Sequence, residues 1–212
     1  MKQVSTLFAA LLGCCALSAQ AEGFFAGGEF GTTAYPDFAG PAAQSAINTG
    51  FASASATQDK ASTAFGVYGG QWLTGNLGWE AGYTDLGSIA GTVTTTGPAA
   101  TATYKYSATA LYAAALGGMK LGKGTLYGKA GLYSASVKYD ETIPPGVGVA
   151  TPSTDSSIGL VIGGGYSVPF MEHLVGKAEL AIYNGVKFHE VMATGTKSDT
   201  ITKVSIGVAY AF

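Results

Sequence analysis

The sequence predicts an all-β protein, an eight-stranded antiparallel up-and-down transmembrane β-barrel, and three observations carry that expectation. Apolar residues recur at every second position in eight segments, 23–33, 62–73, 76–87, 103–117, 124–139, 157–168, 173–186 and 200–212. The connections alternate, with 34–61, 88–102, 140–156 and 187–199 long and 74–75, 118–123 and 169–172 short. Charged residues make up only 11% of the 212 residues and glycine supplies 32, whereas an ordinary soluble domain is roughly one quarter charged. Proline adds an independent check because it cannot donate to a strand ladder. All seven prolines, Pro36, Pro41, Pro98, Pro144, Pro145, Pro152 and Pro169, fall in the connections.

Before the first strand, Lys2 precedes an apolar stretch from Leu7 to Leu17 and the small-x-small site Ala19-Gln20-Ala21. This pattern predicts a signal peptide over 1–21 and a mature barrel domain over 22–212. Leu11-Leu12-Gly13-Cys14 also spells a lipoprotein box, a reading that leaves the Ala-x-Ala site unused. The apolar stretch is shorter than the ~20 residues a spanning helix needs. Both cysteines, Cys14 and Cys15, would leave with the peptide, so no disulfide or thiolate chemistry is expected. The chain has no arginine and a formal charge of −2, which argues against nucleic acid as a partner.

Along the strands, a one-residue slip would exchange the two faces, so each charge can be given a side. In the first segment Glu29 points to the lumen beside outward Gly28 and Phe30. In the third, Leu77, Trp79, Ala81 and Tyr83 face lipid and Glu80 faces in. In the fourth, the even series Tyr104, Tyr106, Ala108, Ala110 and Tyr112 is taken as outward, which sends Lys105 inward. The fifth gives Lys129 inward opposite Leu126, Gly128, Ala130, Leu132 and Ser134. The seventh gives Lys177 and Glu179 inward, opposite Ala178, Leu180 and Ile182. The last gives Lys203 inward, with Val204, Ile206, Val208, Tyr210 and Phe212 outward. Trp72, Tyr83, Tyr104, Tyr166 and Tyr210 are expected in aromatic girdles at the membrane interfaces. The long connections, rich in Ala, Ser, Thr, Gly and Pro, are expected to be mobile.

The tail Ser205-x-Gly207-x-x-Tyr210-x-Phe212 resembles the C-terminal signal read by the assembly machinery of bacterial outer-membrane barrels. Across nearly all of the mature sequence the chain resembles the OmpA-type eight-stranded outer-membrane barrels. Gly78-Trp79-Glu80-Ala81-Gly82-Tyr83-Thr84-Asp85-Leu86-Gly87 is the most similar stretch, with that family's inward glutamate at Glu80. Ala115-Leu116-Gly117, Tyr127-Gly128-Lys129-Ala130-Gly131 and Gly176-Lys177-Ala178-Glu179 look like places in its later strands. Lys129 and Lys177 stand where the family often has arginine, and Ala115 replaces an inward basic residue. The resemblance implies a barrel-only member without the peptidoglycan-binding domain of larger relatives. It also implies long loops outside the cell and both termini in the periplasm.

An eight-stranded barrel is just wide enough for side chains to fill it. Charges inside it must be paired, so Glu29, Glu80, Glu179, Lys105, Lys129, Lys177 and Lys203 are expected to form a lumen network. That network reads either as a structural salt-bridge plug or as a gate whose pairs exchange partners. His173 and His189 are the only histidines; His189-Glu190 in the fourth long connection is the better placed for lipid chemistry, yet no serine follows at the spacing of lipid A deacylases. Gly117-x-x-x-x-Gly122-Lys123 lacks the Ser/Thr of a phosphate-binding loop, Gly124 standing there instead. No cofactor or metal site is expected; Asp140, Glu141 and Asp155 read as a solvated loop face. The expected role is non-enzymatic, structural and surface-displaying, in the outer membrane of a Gram-negative bacterium. Partners are outer-membrane lipids and lipopolysaccharide, the barrel assembly machinery during biogenesis and an extracellular ligand at the loops, with the protein a monomer. A narrow porin or small hydrophobic-solute channel is the alternative, and a lipid A-modifying enzyme the second alternative.

Overall fold

The computed structural model describes residues 23–144, 152–191 and 195–212. The segment expected to be a signal peptide, with the lipoprotein-box reading, lies outside these residues. The elements are β1 (Phe24–Ala34), α1 (Ala39–Asn48), β2 (Ser53–Gln58), β3 (Ala61–Trp72), β4 (Leu77–Thr96), β5 (Ala100–Leu121), β6 (Gly124–Thr142), β7 (Ser153–Pro169), β8 (Leu174–His189) and β9 (Thr196–Ala211). All pairings are antiparallel, and β1 and β3 to β9 close into a ring of eight strands. The final strand meets the first along Phe30↔Ile206 and Glu29↔Gly207, which removes the last free edge at that level.

The connection 34–61, expected to be mobile, instead holds α1 and β2. Apolar area accounts for the difference: Ala42 and Ala46, one turn apart, are buried together, and Phe38 before them anchors in the barrel. Asp37 Oδ1 accepts from the Ala39 amide at 2.9 Å, and Gly50, at φ +106°, ends the helix. Gln58 pins the strap: its Oε1 accepts from the Phe38 amide and its Nε2 donates to the Pro36 carbonyl, both at 2.8 Å. β2 pairs with the distal part of β4, from Ser53↔Thr96 to Gln58↔Gly91, while β3 pairs with its proximal part. In tandem they form one strand interrupted at Asp59 and Lys60. The connection expected over 88–102 is mostly strand as well, because the alternation of Thr92, Val93, Thr94 and Thr95 continues β4 to Thr96. Of the other two long connections, 145–151 and 192–194 lie outside the described residues.

Two β-bulges change which face looks inward. At Asp85/Gly87 the inward series passes from Gly78, Glu80, Gly82 and Thr84 to Ile89, Val93 and Thr95. The Leu86 carbonyl, freed there, accepts from Thr33 Oγ1 at 2.7 Å and from the Tyr35 hydroxyl at 3.2 Å. At Asn184/Val186 the inward series passes from Ala181 and Tyr183 to Val186 and Phe188. The β7–β8 ladder runs from Pro169↔Val175 to Leu160↔Asn184 and stops, although β7 begins at Ser153 and β8 continues to His189.

The outer wall carries an apolar belt that includes Phe30, Phe65, Leu111, Leu132, Leu160, Ile162 and Ile206. Val204, Val208, Tyr210 and Phe212 also face outward. On β5 the structure reverses the expected faces. Tyr104, Tyr106, Ala108, Ala110 and Tyr112 are buried in the lumen, and Lys105 is exposed on the outer wall opposite Asp140. The tyrosine rings pack in the distal lumen, whereas a lysine at that height costs little in solvent. Tyr104, 2% exposed, is therefore no girdle residue. Trp72 shares the inward face of Gly66, Tyr68 and Gly70 and lines a cavity at the barrel end that carries Gly23 and Ala211. Tyr83, Tyr166 and Tyr210 lie outward.

Candidate functional site

Six charged residues from five strands meet in mid-lumen: Glu29, Glu80, Lys129, Lys177, Glu179 and Lys203, all buried. Each is delivered by strand alternation, and small neighbours leave room for the long chains, Gly66, Gly163 and Gly207 standing beside Glu29 and Lys129. Lys177 is the hub, with Nζ 3.5 Å from Glu29 Oε2, 3.3 Å from Glu80 Oε2 and 3.3 Å from Glu179 Oε2. Lys129 bridges Glu80 Oε1 at 3.3 Å and Glu179 Oε1 at 2.5 Å. Lys203, 1% exposed, donates to Glu29 Oε1. Three carboxylates against three ammonium groups leave the cluster neutral, the condition under which ions are tolerated at such depth.

Hydroxyl groups and ring faces occupy the remaining valences. Tyr112 donates to Glu80 Oε1 at 2.8 Å, Tyr127 to Glu179 Oε2 at 2.9 Å and Ser205 to Glu29 Oε2 at 3.1 Å. Lys177 Nζ lies 3.5 Å from the centre of the Tyr68 ring and Lys129 Nζ 4.5 Å from that of Tyr112. The structure thus brings together six of the seven charges named from the sequence and leaves Lys105 out. Tyr68, Tyr112 and Tyr127 were not named for the lumen. The signal that could have found Tyr112 was its parity with Tyr104 and Tyr106, once those rings are placed inside. Of the C-terminal residues, Ser205 and Gly207 face this cluster, while Tyr210 and Phe212 face outward with their rings 5.1 Å apart.

On the loop side of the cluster the lumen is aromatic. Phe38 lies 4.7 Å from Tyr106 and 4.9 Å from Phe188 between ring centres, and Tyr133 lies 5.4 Å from Tyr183. On the opposite side is a cavity of about 140 Å³, lined by Phe24, Phe25, Tyr68, Trp72, Leu116 and Tyr127 among others and roofed by Glu80 and Lys177. His189, at the loop end, has Nδ1 3.9 Å from Asp155 Oδ2 and its ring against Tyr139. His173, at the other end, has Nδ1 3.0 Å from the Ala211 carbonyl and stacks on Tyr210. Among the described residues no group of His, Cys, Asp and Glu is arranged to hold a metal ion, and no serine or threonine hydroxyl is hydrogen-bonded to either imidazole.

A ring of eight antiparallel strands with an apolar outer belt and a filled interior is a membrane barrel, and comparison with known families agrees. The family described as outer membrane protein beta-barrel domain matches residues 7–212. The chain belongs to that family. It is accordingly an outer-membrane protein of the Gram-negative type. No curated protein matches it by sequence. Among solved structures it is similar to the outer membrane protein OprG from Pseudomonas aeruginosa, with a TM-score of 0.56 and 14% identity over 90% of this chain and 97% of that one. It is also similar to Ail, the attachment invasion locus protein of Yersinia pestis, with a TM-score of 0.50 and 13% identity over 90% and 99% of the two chains. At such identities the likeness is one of fold.

Proposed function

We propose that this outer-membrane barrel is a non-enzymatic structural and surface-display protein, oriented with both termini in the periplasm and its long connections outside the cell. The observation that carries the reading is the filled lumen, in which the neutral ion cluster closes the middle and the rings of Phe38, Tyr106, Tyr133, Tyr183 and Phe188 close the distal half beneath α1. A side-chain plug of this kind leaves the loops as the working surface, held on a rigid scaffold. They would meet an extracellular ligand, and the belt would meet outer-membrane lipids and lipopolysaccharide. The C-terminal residues Ser205, Gly207, Tyr210 and Phe212 would present the chain to the assembly machinery.

The alternative, a narrow channel or small hydrophobic-solute conduit, finds support in one observation: Lys177 shares three carboxylates and could exchange among them as a solute passes. Single-channel recording of the refolded protein separates the two. The plug reading expects no stable openings; steps of consistent size would overturn it. Assay on labelled lipid A with His189→Ala as control tests the enzymatic alternative, with no turnover expected from either protein.

A further inference from the structure

The seam between β7 and β8 changes character at a bulge. Up to Leu160↔Asn184 it is a ladder; there Gly185, at φ +90°, takes up the irregularity between Asn184 and Val186, and β8 goes on to His189 without a further rung to β7. Both strands are held from their other sides, Asp155 by its pairing with Val137 of β6 and His189 by its pairing with Thr196 of β9. Among the described residues two polar contacts cross the gap: the Lys187 amide donates to Ser157 Oγ at 3.4 Å, and His189 Nδ1 stands 3.9 Å from Asp155 Oδ2. The second contact depends on charge. A neutral imidazole at that distance makes no hydrogen bond, whereas an imidazolium forms an ion pair with the carboxylate, between side chains only 14% and 20% exposed.

From this geometry we infer that the loop end of the β7–β8 seam is a pH-sensitive latch: protonated His189 draws Asp155 across the gap and closes it, and neutral His189 lets the two edges part. The packed elements hold both partners in place. The His189 ring lies against Tyr139 of β6, ring centres 5.0 Å apart, and Tyr106 of β5 donates to the His189 carbonyl. Ser153 Oγ donates to Asp155 Oδ2 at 3.2 Å. Glu141 of β6 and Glu190, next to His189, act on the Tyr106 hydroxyl together with Asp155. Of the lysines at these strand ends, Lys187 is exposed and Lys197 lies 3.5 Å from Asp199. An imidazole takes up its proton below about pH 6.5, while ordinary carboxylates change charge near 4 and stay ionised above about pH 5. Closure is therefore present in mild acid and lost as the pH rises. Because β7 and β8 lead into the connections 140–156 and 187–199, the latch sets how closely those two are held. That consequence rests on the surface-display reading, but the seam can be read with no loop ligand present, so either can fail alone.

The test is amide hydrogen exchange of the full barrel in lipid nanodiscs, followed by NMR. The amides of Leu160 and Asn184, at the last rung, and of Lys187 report the seam, with each rate divided by that of an unstructured peptide at the same pH. Their protection at about pH 5.5 is expected to exceed that at about pH 8 by about three- to fivefold, the worth of one partly exposed ion pair. Asp155→Asn, which keeps the shape and removes the charge, is expected to make protection equal at the two pH values, as is His189→Gln. His173→Gln, which alters the one other histidine, is expected to keep the difference. Equal protection at both pH values in the unaltered protein overturns the inference. So does a difference that survives Asp155→Asn. Each variant is first checked for folding by its faster gel mobility before boiling, and if His189→Gln does not fold, the Asp155→Asn comparison decides alone.

Discussion

Replacing Glu80 by alanine tests whether the ion cluster holds the barrel together. Glu80 is 3% exposed, faces Lys129 and Lys177 at 3.3 Å each, and accepts from Tyr112 at 2.8 Å. At that separation each pair is worth about 5 kcal/mol at an effective dielectric constant of about 20, and desolvation of the ions offsets most of it. Removal leaves three lysines facing two glutamates and an unpaired buried phenol. The net cost expected is about 3–5 kcal/mol, the usual result of stranding one partner of a buried ion pair. Reversible urea unfolding in lipid vesicles measures it. Glu80→Ala combined with Lys129→Met restores neutrality and should recover about 1–3 kcal/mol relative to the sum of the single changes. Lys105→Ala, on the outer wall, serves as the control and should stay within about 0.5 kcal/mol of the unaltered protein. Additive single changes would refute the reasoning, as would stability and conductance both unaltered by Glu80→Ala.

Further outcomes follow from the cap, the bulges and the tail. Phe38→Ala should free α1 from the barrel, so that limited chymotrypsin digestion cuts near Phe51 while the unboiled gel mobility of the barrel is retained; continued protection would mean that Phe38 is not the anchor. Gly87 sits at φ +81° with its missing Cβ directed at the Thr63 carbonyl, whereas Gly185 sits at φ +90° beside open space. Both Gly→Ala changes should destabilise through backbone strain of about 1–2 kcal/mol, and Gly87→Ala should cost more; equal midpoints in urea would contradict the packing account. Phe212→Ala should lower the yield of membrane-inserted barrel in cells and leave unassisted refolding into detergent unchanged, as fractionation and gel mobility would report.

Much of the barrel was legible because lipid and lumen impose opposite demands on alternate residues. Glu80 stands between outward Trp79 and Ala81, and Glu29, Lys177 and Lys203 each stand beside an outward apolar residue, Phe30, Ala178 and Val204, and such a charge has one tolerable side. The logic failed on β5, where the outward face is Thr, Ser and Ala around Leu111 and the inward face is mostly Tyr and Ala, so that neither is plainly lipophilic; Lys105 then pulled the assignment the wrong way, since near the loop end a lysine can simply face solvent. The bulges at Asp85/Gly87 and Asn184/Val186 reverse parity without any break in composition. α1 was hidden for a related reason. Its buried face is two alanines, residues that also fill structureless loops, and the anchors that define it, Phe38 and Gln58, lie outside the helix. Tyr68 and Tyr127 became parts of the site only through neighbours far away in sequence.

The early end of the β7–β8 ladder bears on how the barrel comes apart. Beyond Leu160↔Asn184, β7 is laced to β6 and β8 to β9, but between β7 and β8 the polar contacts of the described residues are the Lys187 amide donating to Ser157 Oγ at 3.4 Å and His189 Nδ1 at 3.9 Å from Asp155 Oδ2. A cylinder sewn along every other seam unzips where stitches are already missing. Amide protons on the facing edges of Ser153–Gly159 and Val186–His189 should exchange with solvent before those of the β8–β9 seam, and a crack started there would travel toward Pro169↔Val175 one rung at a time.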